Sequence, residues 1–136
     1  MAATPHRLWT SAFTLLWAMT FLTFFAAFQL FPTVPLRLRD LGATLAESGR
    51  FMTLFTLGSS AGALFTGPLG DRIGHRRLLG WCAFGFGLCM LLHGLWSSRW
   101  GFYLLAFPHG IGWSGVLTGT MATLGAVLPE DRRGAG

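Results

Sequence analysis

The densest cluster of side chains that can do chemistry in this 136-residue sequence is one stretch, Gly67-Pro68-Leu69-Gly70-Asp71-Arg72-Ile73-Gly74-His75-Arg76-Arg77. Asp71, Arg72, His75, Arg76 and Arg77 put one carboxylate, one imidazole and three guanidinium groups within seven residues. Gly67, Gly70 and Gly74 remove side chains where backbones must approach or turn sharply. Charges of both signs at a glycine-rich turn can form charge-assisted hydrogen bonds that hold two elements together. That is the chemistry of a latch, not of bond making. No nucleophile, base or metal-ligand constellation lies at a plausible site, so neither an enzyme nor a metal or cofactor site is expected.

The remaining candidates are scattered. His93 and His109 are the titratable imidazoles inside apolar runs, where an ionisable residue is a functional candidate by default. For His109, beside Pro108, a neutral, hydrogen-bonded packing role outweighs the alternative of lining a central cavity. Arg50 reads chiefly as a snorkelling side chain, with a basic group at a cavity rim as the alternative. Cys82 and Cys89 stand seven residues apart on one prospective helix, about 10 Å along its axis, too far for a disulfide with each other. The sequence Gly110-Ile111-Gly112-Trp113-Ser114-Gly115 has the Gly-x-Gly-x-x-Gly spacing, but it lies inside a long apolar run with no preceding strand.

The elements that must position these residues are membrane helices. The sequence is 52% hydrophobic and only 11% charged, with a mean hydropathy of +0.54, too apolar for an ordinary soluble domain. Four uncharged runs can be drawn, at about 8–31, 51–70, 78–96 and 101–128, each long enough to cross a hydrocarbon core of about 30 Å as a helix. Backbone groups in lipid must be satisfied internally, and barrel-type alternation is absent, so the predicted fold class is all-α, a polytopic bundle of four transmembrane helices. Pro32 and Pro35 disfavour continuation of the first helix, and Thr44-Leu45-Ala46-Glu47 has the form of a capping box for the second. Gly58-x-x-x-Gly62 and Gly115-x-x-x-Gly119 are small-residue patterns that let membrane helices pack closely. The Phe-rich stretch from Phe21 to Phe31 reads as lipid or core packing.

All ten basic residues are Arg, and they cluster at the ends of the runs, where they meet phospholipid headgroups; nucleic acid is not an expected partner. With a cytoplasmic N-terminus, Arg7, Arg72, Arg76, Arg77, Arg132 and Arg133 lie inside, and Arg37, Arg39, Arg50 and Arg99 outside. Six against four favours that orientation.

The order Gly-x-x-x-Asp-Arg-x-Gly-x-Arg, carried here by Gly67, Asp71, Arg72, Gly74 and Arg76 between the second and third runs, resembles the signature loop of the major facilitator superfamily. The resemblance extends over residues 1–136, as the N-terminal part of such a transporter domain. It implies a secondary transporter of the plasma or inner membrane that moves a small molecule by alternating access, with efflux favoured. It further implies that Asp71 takes part in a charge network and faces a helix N-terminus in the opposite half, where it favours the outward-open state. His75 replaces the first of the usual basic pair. Leu128-Pro129-Glu130-Asp131-Arg132-Arg133-Gly134 resembles the segment leading into helix five, which makes Glu130 and Asp131, with Arg132 and Arg133, the expected network partners. In helix four the family's intramembrane Arg, associated with proton coupling in some drug antiporters, has no counterpart in Ala106-Phe107-Pro108-His109-Gly110. The implied partners are a small-molecule substrate, the lipid bilayer, a coupling proton and the C-terminal helices of the full-length transporter. Family members usually have twelve spans, so four make a fragment. The alternatives are a small dimeric multidrug pump, which would need a carboxylate in the first helix, and a four-span interaction or assembly protein.

Overall fold

The computed structural model describes residues 9–128, and these form four helices: α1 Ser11–Asp40, α2 Leu45–Ile73, α3 His75–Leu95 and α4 Arg99–Val127. Thr10 caps α1 by accepting the Phe13 N–H at 3.2 Å. Contrary to the sequence expectation, α1 runs straight through Pro32 and Pro35 to Asp40. Each proline removes one helical hydrogen bond, but Leu30, Val34 and Leu38, spaced four apart across the same stretch, are buried against Phe51, Phe102 and Ala106 of the neighbouring helices. Tertiary packing outweighs the lost donors. The helix stops only where Gly42 takes φ +83°, with Gly42 N–H bonded to the Arg39 carbonyl and Ala43 N–H to that of Leu38, both at 2.9 Å. This is a Schellman ending.

The next helix starts at once. Thr44 and Glu47 form the reciprocal capping box, the Thr44 hydroxyl accepting the Glu47 N–H and the Glu47 carboxylate accepting the Thr44 N–H at 2.9 Å. A single residue, Gly74, then separates α2 from α3, and its φ of +91° is a conformation that glycine adopts without strain. Trp96, Ser97 and Ser98 join α3 to α4.

α4 is the hub of the bundle, packed chiefly on α2 and α3, while α1 lies more lightly against α2 and α4. Glycine makes both main seams possible. A Cβ at Gly58 would strike the Phe107 carbonyl, one at Gly62 would come within 3.0 Å of the Ile111 Cα, and one at Gly110 would strike the Phe55 carbonyl, so α2 and α4 touch backbone to backbone. Gly115 and Gly119 admit Cys82 and Leu79 of α3 on the other side. Close backbone approach of this kind is how helices associate where lipid supplies no hydrophobic drive. The outer faces carry large apolar side chains, among them Leu15, Phe21, Phe65, Trp81 and Leu104. Composition alone marks only α1 and α3 as apolar enough to cross a membrane. In α2 and α4 the interface residues Gly58, Gly62, Gly110, Ser114, Gly115, Gly119 and Thr120 lower the mean hydropathy without adding charge, and all seven are buried. The result is a polytopic membrane helix bundle without strands among the described residues.

Candidate functional site

The glycine-rich charged segment is not an open loop. Gly67, Gly70, Asp71 and Arg72 belong to the last turns of α2, and His75, Arg76 and Arg77 to the first turn of α3, so the reversal rests on Gly74 alone. Gly70 is buried beneath the His75 ring, where any side chain would collide with the imidazole. Gly67 has open space around it, so these four helices give no packing reason for a glycine there.

Of the charged side chains clustered here, Asp71 makes its one ion pair among the described residues with His75, Oδ1 to Nε2 at 3.2 Å. Geometry explains the choice. The sharp turn at Gly74 brings residue 75 back over the end of α2, whereas Arg72, the next residue along the helix, points about 100° away. The pair carries opposite charges only while the imidazole is protonated, and His75 Nδ1 is buried without a hydrogen-bond partner. The Asp71 side chain is 75% exposed. Its carboxylate therefore has room for a further donor. Arg72 borders a shallow groove with Leu64, Phe65, Pro68 and Leu69. Arg76 borders a cleft of ≈ 440 Å³ between α1, α3 and α4, lined also by Ala12, Leu15, Leu79 and Thr123. Arg77 is exposed. Glu130, Asp131, Arg132 and Arg133 lie outside the described residues.

Of the two residues considered for a central cavity, one lies inside the bundle and the other at its edge. His109 is fully buried and touches Phe55, Phe86 and His93, with no hydrogen bond to either ring nitrogen. Gly110 draws α4 onto α2, and His109 is carried with it into the packed interior. The Arg50 side chain is 61% exposed on the first turns of α2, at 4.0 Å from Glu47.

Around Glu47 the structure builds a charged corner that the sequence did not disclose. Its backbone carbonyl accepts the Tyr103 hydroxyl of α4 at 3.0 Å, tying the starts of α2 and α4 together. The Thr44 backbone N–H, then the Thr44 hydroxyl, hold the Glu47 carboxyl below the usual carboxylate range, helped by Arg99 and Arg50 and opposed by slight desolvation. A second tie between the same helices is the Thr66–Thr118 hydroxyl pair at 3.1 Å. The capping-box spacing marks Glu47 in the sequence, but nothing there marks Tyr103, Thr66 or Thr118, whose partners are 52 to 56 residues away.

Comparison with known proteins agrees with this architecture. Residues 16–136 match the Major Facilitator Superfamily. Among curated proteins, the multidrug resistance protein MdtG of Citrobacter koseri is 30% identical over 131 residues, covering 93% of this chain and 32% of its own length. Those of Klebsiella pneumoniae and Serratia proteamaculans are 30% and 29% identical, each covering 98% of this chain. The chain thus spans about a third of the relatives it matches. No solved structure gives a significant match. A four-helix membrane bundle whose second and third helices meet at the Asp71–Gly74–His75 joint, matched by family over nine-tenths of its length, belongs to the Major Facilitator Superfamily, a family of transporters.

Proposed function

We propose that this chain forms the first third of a secondary transporter that moves small molecules out across the inner membrane by alternating access, with the N-terminus cytoplasmic. The relatives are named multidrug resistance proteins, which supports efflux of drug-like compounds. The observation that carries the mechanism is the exposed Asp71 carboxylate at the one-residue joint. Held by His75 on one side, it is free on the other to meet a positive helix N-terminus in a second half of the transporter, and such a contact favours one conformation over the other. Glu130 or Asp131 joins that network, and proton movement drives the cycle.

The test is a chimera in which residues 1–136 replace the matching third of the Citrobacter koseri protein, expressed in an efflux-deficient bacterium. The chimera is expected to lower the steady-state accumulation of fluorescent drug-like cations. A chimera that inserts at the parental level yet changes the accumulation of none of them would overturn the reading.

A further inference from the structure

His93 of α3 and His109 of α4 are 5% and 0% exposed, and their ring centroids lie 5.3 Å apart. His93 Nδ1 is 2.6 Å from the Cys89 carbonyl. A carbonyl oxygen only accepts, so Nδ1 carries the hydrogen, and in the neutral ring Nε2 is left as a bare lone pair. That Nε2 has no partner, and neither nitrogen of His109 has one. The pair therefore presents one N–H and two lone pairs, all buried and unused. Unpartnered buried groups are costly, and each in a native structure needs an explanation, a bound species among them.

The surroundings indicate what that is. His93 lies 5.4 Å from Phe51 and 5.2 Å from Phe102, and His109 lies 5.5 Å from Phe55 and 4.4 Å from Phe86, ring centre to ring centre. Four phenyl rings, each at 60° or more to the imidazole it meets, wall the pair, and a phenyl face turned toward an imidazolium attracts it. Two imidazoles joined by an N–H···N bond of about 3 Å have centroids about 5 Å apart, so a small ring rotation lets one proton lie between them. A metal ion is a poor occupant, because the described residues contain no group of three or more potential ligands.

We propose that His93 and His109 form a binding site for a single proton, shared between the two rings within the phenylalanine walls. The proton adds to a waiting lone pair, no bond breaks, and the pair becomes an imidazole–imidazolium unit of charge +1. A second proton is excluded by repulsion between like charges at this separation. The groups facing the pair are Phe51 and Phe55 from α2, Phe86 and the Cys89 carbonyl from α3, and Phe102 from α4. Other titratable side chains on the spans are Cys82, Cys89 and Tyr103, uncharged in their ordinary forms; α1 has none before Arg37.

The test is nitrogen NMR of the histidine-labelled chain in lipid nanodiscs between pH 4 and pH 9, with His6 and His75 identified by their substitution. The expected result is one step in which the His93 and His109 ring nitrogens move together with uptake of one proton per chain. In His109→Asn the proton affinity of His93 should fall at least tenfold. Rings that stay neutral throughout, a pair that takes up two protons independently, or a His93 titration unchanged in His109→Asn would each overturn the proposal. The first two outcomes are read on the parent chain, so the test survives if the variant does not fold.

Discussion

Glu47 shows how a single side chain outside the membrane sets local stability and its pH dependence. Its carboxyl is held below the usual value, about 4.3 for glutamate, by the Thr44 hydrogen bonds and then by Arg99 and Arg50. A lowered folded-state value means the contribution is complete above the unfolded value and is lost as pH falls through the folded one. Amide exchange at Thr44, Glu47 and Ser48 should therefore be slow at pH 7 and speed up below about pH 4 after correction for intrinsic rates. Glu47→Gln should flatten that dependence, and identical profiles in parent and variant would show that the cap does not respond to charge. Asp71 acts at the same scale. Asp71→Asn keeps the shape and removes the charge, and a latch worth ~1 to 3 kcal/mol implies a roughly 5- to 150-fold shift between inward-open and outward-open forms of the chimera. The labelling rate of an outer-vestibule cysteine reads that shift; rates and dye efflux equal to the parent would reduce Asp71 to a solvated helix-end residue.

Among the elements, what could be read from the sequence was what is local. Thr44 and Glu47 are three residues apart, and their capping box formed as the spacing indicated. Gly58, Gly62, Gly115 and Gly119 marked close seams, and the structure puts their missing side chains against α4, α2's partner, and α3. Pro32 and Pro35 misled because their cost is local and the gain from Leu30, Val34 and Leu38 is tertiary. The Asp71–His75 pair could not be picked out among three Arg and one His in the sequence, because the turn at Gly74 selects by direction. The His93–His109 meeting was not legible at all: it depends on the rotation of α3 against α4 and on Ala106, which shares a face with Phe102 and His109 and is too small to fill the space between them. The seams themselves give a contrast to measure. Gly58→Val should destabilise the bundle by about 1 to 3 kcal/mol or more, because the clash is with backbone that has no rotamer to yield. Gly85→Ala, with nothing within 4 Å of the added carbon, should change stability little. Thermal unfolding in one detergent compares them, and equal loss in both variants would show that the α2–α4 seam is not what holds the helices together.

At the scale of the whole molecule, four helices joined by short turns put their ends alternately on two sides of the membrane, with the Asp71–His75 joint on one side and the Trp96–Ser98 turn on the other. If the arginine bias sets orientation, the joint faces the cytoplasm. Arg76→Cys should then resist a membrane-impermeant thiol reagent added outside intact cells, while Arg99→Cys should react; equal labelling of both would reject this topology. Cys82 and Cys89, half-buried in α3, need replacement first so that they do not contribute signal. The same geometry bears on transport by the chain in isolation. Alternating access works by rocking two halves around a site between them, and here α4 is packed against both α2 and α3 through close glycine contacts. Within the described bundle the helices pack around α4, and no second half is present for them to move against. Vesicles reconstituted with residues 1–136 alone should accordingly show no saturable flux of the cations that the chimera expels. Saturable, protein-dependent uptake by those vesicles would instead mean that copies of the chain supply both halves to one another, the arrangement of a small dimeric pump.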